Sequence, residues 1–315
     1  MPDMIDITDR PSAPPVSVPR AHRLAALDAA LPLLACPVCA LPLARDTAAL
    51  VCPSHHRFDI ARAGYVNLFG HASPANADTA RMVAAREAFL GTGAYDPIAE
   101  LVHDAVFRHT ALGSTAGALA EVGAGPGYYL RRIAVALPAG TVCLATDISV
   151  DAARRAAAAG LASIVADTWS RLPLRPVSLD AACTIFAPRN PAEMARVVRP
   201  GGCVVVVTPA PDHLADLRDD LALLRVHPHA GPRARAALVQ HGFEVRGVRP
   251  LAYRLRCTAA QQDLLVEMGP NAFHPHAAPK ATSTLIVSVE VTVARRANTR
   301  TAESQAAPTG AQPTA

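Results

Sequence analysis

Lysine is nearly absent from this chain. Lys280 is the only one, and every other fixed basic side chain is arginine. Arginine suits bidentate phosphate contacts, but an alanine- and arginine-rich composition also follows from plain codon bias. The formal net charge of +4 is too small to argue for a nucleic-acid partner by itself. No apolar run approaches the length of a membrane-spanning helix, so no membrane partner is expected. The seven cysteines are an odd number with no disulfide-like framework, which points to a reducing cytoplasm. Cys143, Cys183 and Cys203 lie in apolar, strand-like runs where cysteine behaves as a small buried hydrophobe. Arg20–Arg23, Leu24–Ala35 and Cys36 mimic a lipoprotein signal, but Asp28 and Pro32 interrupt the apolar stretch and Asp3, Asp6 and Asp9 precede it.

What the chain does have is apolar bulk. At 315 residues and 51% hydrophobic it has room for a full α/β domain and a small module. Residues 1–35 are expected to be a disordered lead-in, with 21–35 forming a short helix or an extended segment. A small module spans 36–69, and a linker and a helix span 70–100. The main domain covers 101–295, and 296–315 is expected to be a disordered tail. Strands are expected at 118–123, 141–147, 162–166, 179–186 and 202–208, alternating with helices as in a parallel sheet. Residues 242–249 and 284–294 suit a closing antiparallel pair.

The small module carries a metal signature. Cys36-Pro-Val-Cys39 is a knuckle, and Cys52-Pro-Ser-His55-His56 supplies a second pair after a hairpin-sized gap. Two close pairs separated by a loop match tetrahedral zinc. His55 and His56 are both candidates for the fourth position.

The main domain carries a cofactor signature. Ala118–Val122 runs into Gly123-Ala124-Gly125-Pro126-Gly127, with Glu121 just before the turn. Nicotinamide dehydrogenases use G-x-G-x-x-G to hold a pyrophosphate. The spacing here is Glu-x-Gly-x-Gly-x-Gly, and an acid before the turn suits an ammonium better than a phosphate. That pattern resembles S-adenosylmethionine (SAM) methyltransferases. Asp147 closes the second strand, where a carboxylate accepts ribose hydroxyls. Asp167 ends the third, within reach of an adenine amino group. Arg196–Gly202 leads into the apolar run Cys203–Thr208, a helix, Pro-Gly-Gly and strand element common in these enzymes. Any one acid could merely cap a helix, but the four features together favour a SAM site.

The combination resembles the 23S rRNA (guanine-N1)-methyltransferases over roughly residues 36–294. The shared segments are Cys36–Cys39, Cys52–Leu68, Met82–Leu90, Gly93–Pro97, Gly123–Tyr129, Phe186–Pro188, Arg196–Gly202, and Thr208-Pro209 with His213. Phe186–Pro191 and Met268–Pro270 look like the branch conferring tylosin-type macrolide resistance, which methylates a guanine in the helix 35 hairpin loop of domain II. The resemblance implies a Rossmann-like class I sheet behind a zinc ribbon. It implies zinc ligation by Cys36, Cys39, Cys52 and His56. It also implies SAM contacts from Tyr95, the Gly125-Pro126 backbone and His213. The family position held by Pro126 is often acidic, so only a backbone contact carries over there. It suggests a homodimer whose ribbons form one RNA cleft. His213 and Phe186 are the candidates for catalytic roles, as ionisable group and base-stacking ring. A small-molecule methyltransferase and a non-enzymatic ribbon protein that binds RNA are the competing readings. The first would carry a lid of helices in place of the ribbon. Against the second, the glycines, Asp147 and Asp167 are intact.

Overall fold

The computed structural model describes residues 4–71, 74, 77–274 and 277–298. The expected tail at 296–315 lies mostly outside them, as does part of the linker at 70–79. The chain begins with β1 (Met4–Asp6) and α1 (Arg20–Ala30), followed by a three-stranded ribbon of β2 (Ala44–Asp46), β3 (Ala49–Val51) and β4 (Arg57–Asp59). Next come β5 (Val66–Asn67), α2 (Ala80–Gly91) and α3 (Asp96–His109). The alternating part is β6 (Ala118–Val122), α4 (Tyr128–Ala134), β7 (Val142–Asp147), α5 (Val150–Ala158), β8 (Ala162–Val165), β9 (Leu179–Ile185), α6 (Pro191–Val197) and β10 (Val198–Pro209). It closes with α7 (Ala215–Leu221), α8 (Ala230–Gln240), β11 (Phe243–Thr258), α9 (Ala259–Glu267) and β12 (Thr282–Arg296).

The main sheet has the order β1-β11-β12-β10-β9-β6-β7-β8-β5. β12 runs antiparallel to both β10 and β11, and the pairs from β10 through to β8 are parallel. Strand order reverses between β6 and β9, which leaves a crevice at the strands' C-terminal ends for a ligand. Alternation along β10 supplies both faces: Val205 and Val207 enter one core, and Val204 and Val206 the other. The first core gathers α3, α4, α7 and α9. The second gathers α1, α6, α8 and the ribbon.

The lead-in is not disordered. Met4–Asp6 pairs in parallel with Arg254–Arg256, and Ile7 is fully buried beneath that edge. Beyond it the proline-rich stretch is tied down by Ala13 N–H to Gly91 C=O (3.0 Å) and Val18 N–H to Ala158 C=O (2.8 Å). Residues 20–30 then form α1, which buries Leu27 and Ala30. The polar, proline-rich composition misleads here because the sheet edge supplies hydrogen bonds and the core takes one isoleucine.

The ribbon is not a free-standing module either. Val66 and Asn67 add β5 in parallel to β8, at Ile164 and Val165. Leu43, Leu50 and Cys52 share a core with Leu144 and Ile164 of the main sheet. Among the described residues no helix joins β8 to β9, and the ribbon's lead-in fills that side. Ala35 N–H donates to Pro173 C=O (3.0 Å) and Arg175 N–H to Leu33 C=O (2.8 Å).

Ile7→Ala should lower folding stability by about 2–4 kcal/mol, the usual cost of truncating a buried aliphatic side chain. Denaturant unfolding of both proteins checks this. An unchanged midpoint would mean the N-terminal strand is not docked.

Candidate active site and metal centre

The metal centre forms because two tight turns face each other. The knuckle closes through Ala40 N–H to Cys36 C=O (2.8 Å) and Cys36 N–H to Leu41 C=O (2.8 Å). Opposite, His55 N–H donates to Cys52 C=O (2.8 Å), and His55 adopts a left-handed φ of 61°. That turn leaves His55 exposed and swings His56 back toward the sulfurs. Cys36, Cys39, Cys52 and His56 form one group, their ligand atoms all within 4.8 Å of one another. His56 Nδ1 lies 3.5 Å from Cys36 Sγ and 3.4 Å from Cys52 Sγ, and the Cys39 and Cys52 sulfurs are 3.6 Å apart. The edges of a zinc tetrahedron with Zn–S near 2.3 Å and Zn–N near 2.0 Å are about 3.5–3.8 Å, so the donors fit the ion. A backbone hydrogen bond from Leu41 holds the Cys39 thiol down at about 6. Burial pushes the Cys36 thiol up. The Cys39 thiolate is therefore ready for the metal at neutral pH, and the ion must deprotonate Cys36.

The glycine turn sits at the crevice. Gly123, Gly125 and Gly127 have φ of 74°, 54° and 78°, where a side chain is strained. A Cβ on Gly123 would lie 2.4 Å from Ala187 Cβ, and one on Gly127 would lie 2.5 Å from Leu161 Cδ1. Gly125 differs: its nearest neighbour would be a side-chain tip, Nη1 of Arg86, at 3.2 Å. Backbone there is free to approach a ligand, and Pro126 follows with no N–H of its own.

Asp147 braces this turn. Its Oδ2 accepts Gly125 N–H (2.8 Å) and its Oδ1 accepts Ser149 N–H (2.9 Å). Burial raises its carboxyl above the usual range, against those two hydrogen bonds. Asp147 pairs with Val165 of β8, so Asp147 and Asp167 end adjacent strands. Asp167 accepts from Trp169 N–H (2.9 Å) and Ser170 Oγ–H (2.8 Å). Glu121 is buried under the turn, where its Oε2 accepts Leu130 N–H (2.9 Å) in the first turn of α4. Burial pushes its carboxyl up to about 8, and no cation pairs with it among the described residues.

Tyr95, Phe186 and His213 come together although they are far apart in sequence. Ring centroids are 6.0 Å apart for Tyr95–Phe186 and 5.7 Å for Phe186–His213, the latter tilted by only 32°. Phe186 is 38% exposed and Tyr95 is buried. His213 Nδ1 accepts Ser288 N–H (3.2 Å), so its proton sits on Nε2, which faces Tyr95 Oη at 3.5 Å. Burial, reinforced by Arg218, lowers His213 to about 4 and keeps the ring neutral.

One pair escaped the reading of the sequence. Arg86 forms an ion pair with Asp78 and donates to Met268 C=O (2.5 Å), joining α2, the glycine turn and the Met268–Pro270 segment. The signal was present, because Arg86 and Met268 both lie in segments that carry the family resemblance. Nothing in their spacing revealed that they meet.

A zinc-ribbon family model described as RlmA, N-terminal, matches residues 34–71. The 23S rRNA (guanine(748)-N(1))-methyltransferase of Streptomyces fradiae is 42% identical over 243 residues, 76% of this chain and 86% of that protein. The chain belongs to the 23S rRNA (guanine-N1)-methyltransferases. A Micromonospora griseorubida protein with the guanine-N1-methyltransferase designation is 42% identical over 280 residues, 84% of this chain and 94% of that one. The solved complex of geranyl diphosphate methyltransferase with SAM is a distant likeness: 13% identity and a TM-score of 0.41 over 62% of this chain and 84% of that one. Members of the guanine-N1-methyltransferase family are SAM-dependent enzymes. The architecture here is accordingly a class I sheet joined to a zinc ribbon with a Cys3His group.

One zinc ion per chain should survive gel filtration of the purified protein. Cys39→Ser should lose it and lower the melting temperature of the whole chain in a single transition, because the ribbon and the sheet share a core. Metal analysis and calorimetry read both. A fully folded, metal-free wild type would contradict the assignment.

Proposed function

We propose that this enzyme methylates N1 of a guanine in the hairpin loop of helix 35, in domain II of 23S rRNA, and so confers tolerance to tylosin-like macrolides. The observation that carries the proposal is the 42% identity to the Streptomyces fradiae enzyme, which is named for guanine 748. Phe186–Pro191 and Met268–Pro270 support placing the chain in the resistance branch. In this reading the enzyme works in the cytoplasm as a homodimer, with paired ribbons bordering one RNA cleft.

SAM supplies an electrophilic methyl group. The Gly125-Pro126 backbone and Asp147 are assigned to the cofactor's methionine and ribose parts, with Gly123 and Gly127 shaping the turn. Asp167 is assigned to the adenine, and Glu121 to the ammonium as its countercharge. Tyr95 and the Nε2–H of His213 are donors suited to the cofactor's carboxylate. Phe186 has an exposed edge on which a splayed-out guanine can stack.

Guanine N1 carries a proton that must leave during methylation. His213 is not disposed to take it, because Nδ1 is already an acceptor for Ser288 N–H and Nε2 holds the ring's proton. Both Asp167 oxygens are likewise engaged. The reading therefore sends the proton to water and assigns most of the acceleration to holding N1 in line with the methyl group.

Expression in a susceptible bacterium should raise tolerance to tylosin-like macrolides with a long sugar arm and leave drugs lacking that arm little affected. Loss of one hydrogen-bond donor beside the drug weakens binding by about 1–3 kcal/mol, roughly fivefold to more than a hundredfold. Gly125→Arg, which fills the cofactor's space, should confer no tolerance in the same growth assay. Equal tolerance from that variant would refute methylation as the cause.

A further inference from the structure

Four partly buried arginines of this protein have a carboxylate, and Arg23, Arg218 and Arg296 donate to backbone carbonyl oxygens instead. Arg86 pairs with Asp78, Arg155 with Glu87, Arg196 with Glu193 and Arg235 with Glu290. Arg189, in the turn after β9, has neither. It is half-buried, yet among the described residues no carboxylate and no hydrogen-bond acceptor engages its guanidinium. Its surroundings disfavour the charge, and burial alone lowers its pKa with no acid to offset it. Leaving a charge partly desolvated and unpaired is costly, and a shift of rotamer into solvent would remove the cost unless the position serves a ligand.

The position is also held firmly. Arg189 lies in the turn that follows β9, at the point where strand order reverses. Phe186 starts the turn with φ of 53° and donates its N–H to Val207 C=O (3.2 Å). Thr184 Oγ1 lies 3.4 Å from the carbonyl oxygens of both Ala187 and Pro188. Asn190 Oδ1 accepts Glu193 N–H (3.3 Å) and caps α6, and Pro188 and Pro191 restrict the backbone on either side. Ala187 packs directly on Gly123 of the cofactor turn. A rigid turn therefore carries an uncompensated cation three residues along the chain from Phe186, the ring assigned to the target base.

We propose that Arg189 binds a backbone phosphate of the RNA next to the target guanine, an assignment that rests on the RNA-methylating function above. A full negative charge is what neutralises a half-buried guanidinium, whereas a base carbonyl offers only a dipole. The planar fork of arginine matches two phosphate oxygens. A base that is splayed out of its loop brings its flanking phosphates to the mouth of the site.

The test uses the full-length zinc-loaded enzyme, an in vitro transcript of 23S rRNA domain II and labelled SAM. Arg189→Gln should bind the transcript about tenfold more weakly, and its log–log salt dependence should be shallower by about one unit. Arg189→Lys, which keeps the charge without the fork, should fall between. SAM affinity by calorimetry should be unchanged, and the melting temperature of Arg189→Gln should be equal or higher because a desolvated charge has gone. Unchanged RNA affinity and salt slope would overturn the assignment. So would weaker RNA binding at an unchanged slope, which marks a contact to a neutral group, or weaker SAM binding, which places Arg189 in the cofactor site. Failure of the wild type itself to methylate the transcript would refute the function and this inference together. Normal wild-type methylation with an indistinguishable Arg189→Gln refutes the inference alone.

Discussion

The backbone hydrogen bonds between Leu33–Ala35 and Pro173–Arg175 decide how the molecule works as a whole. Together with β5 on the edge of β8 they fix the zinc ribbon against the catalytic sheet. The ribbon's own strands are only three residues long, too short to hold a fold without help. Two supports compensate for this: the Cys3His group at one end, and the core shared with Leu144 and Ile164 at the other. The ribbon is thereby held at a fixed position relative to the crevice.

Inside the crevice, Asp147 has the corresponding organising role. One carboxylate holds Gly125 N–H and Ser149 N–H, so the cofactor turn and the start of α5 move together. Arg86 faces the same turn from α2 and reaches Met268, on the far side of the sequence. The glycines let backbone approach the cofactor, and these charged groups stop the freed backbone from wandering. Glu121 and Arg189 are the opposite kind of group. One is a buried carboxyl beneath the turn and the other a half-buried guanidinium beside it, and neither pairs with an opposite charge among the described residues.

Much of this was legible in the sequence, for identifiable reasons. The apolar runs of β6 to β10 read as strands because both faces of a central sheet are buried. The glycine turn was legible because only glycine is at ease at its positive φ values. The cysteine and histidine spacing gave the metal site and the family resemblance chose His56, and the left-handed turn at His55 shows physically why. The lead-in was misread because β1 is three residues long in a polar context, and its stability comes from an edge in β11 about 250 residues away. β5 is two residues long and carries no periodicity at all. The Arg86–Met268 contact spans 182 residues, so only the fold reveals it. Glu121 was legible as an acid before the turn, but not as the acceptor that fixes α4.

The central claim is that a SAM site and a zinc ribbon held as one body place a methyl group on N1 of a single loop guanine. The most direct measurement is primer extension across 23S rRNA extracted from a susceptible bacterium and treated with this enzyme and labelled SAM. N1 methylation blocks Watson–Crick pairing, so the account predicts label in the RNA and one new reverse-transcription stop in the helix 35 loop. Label without that stop, or a stop elsewhere in the RNA, would contradict it.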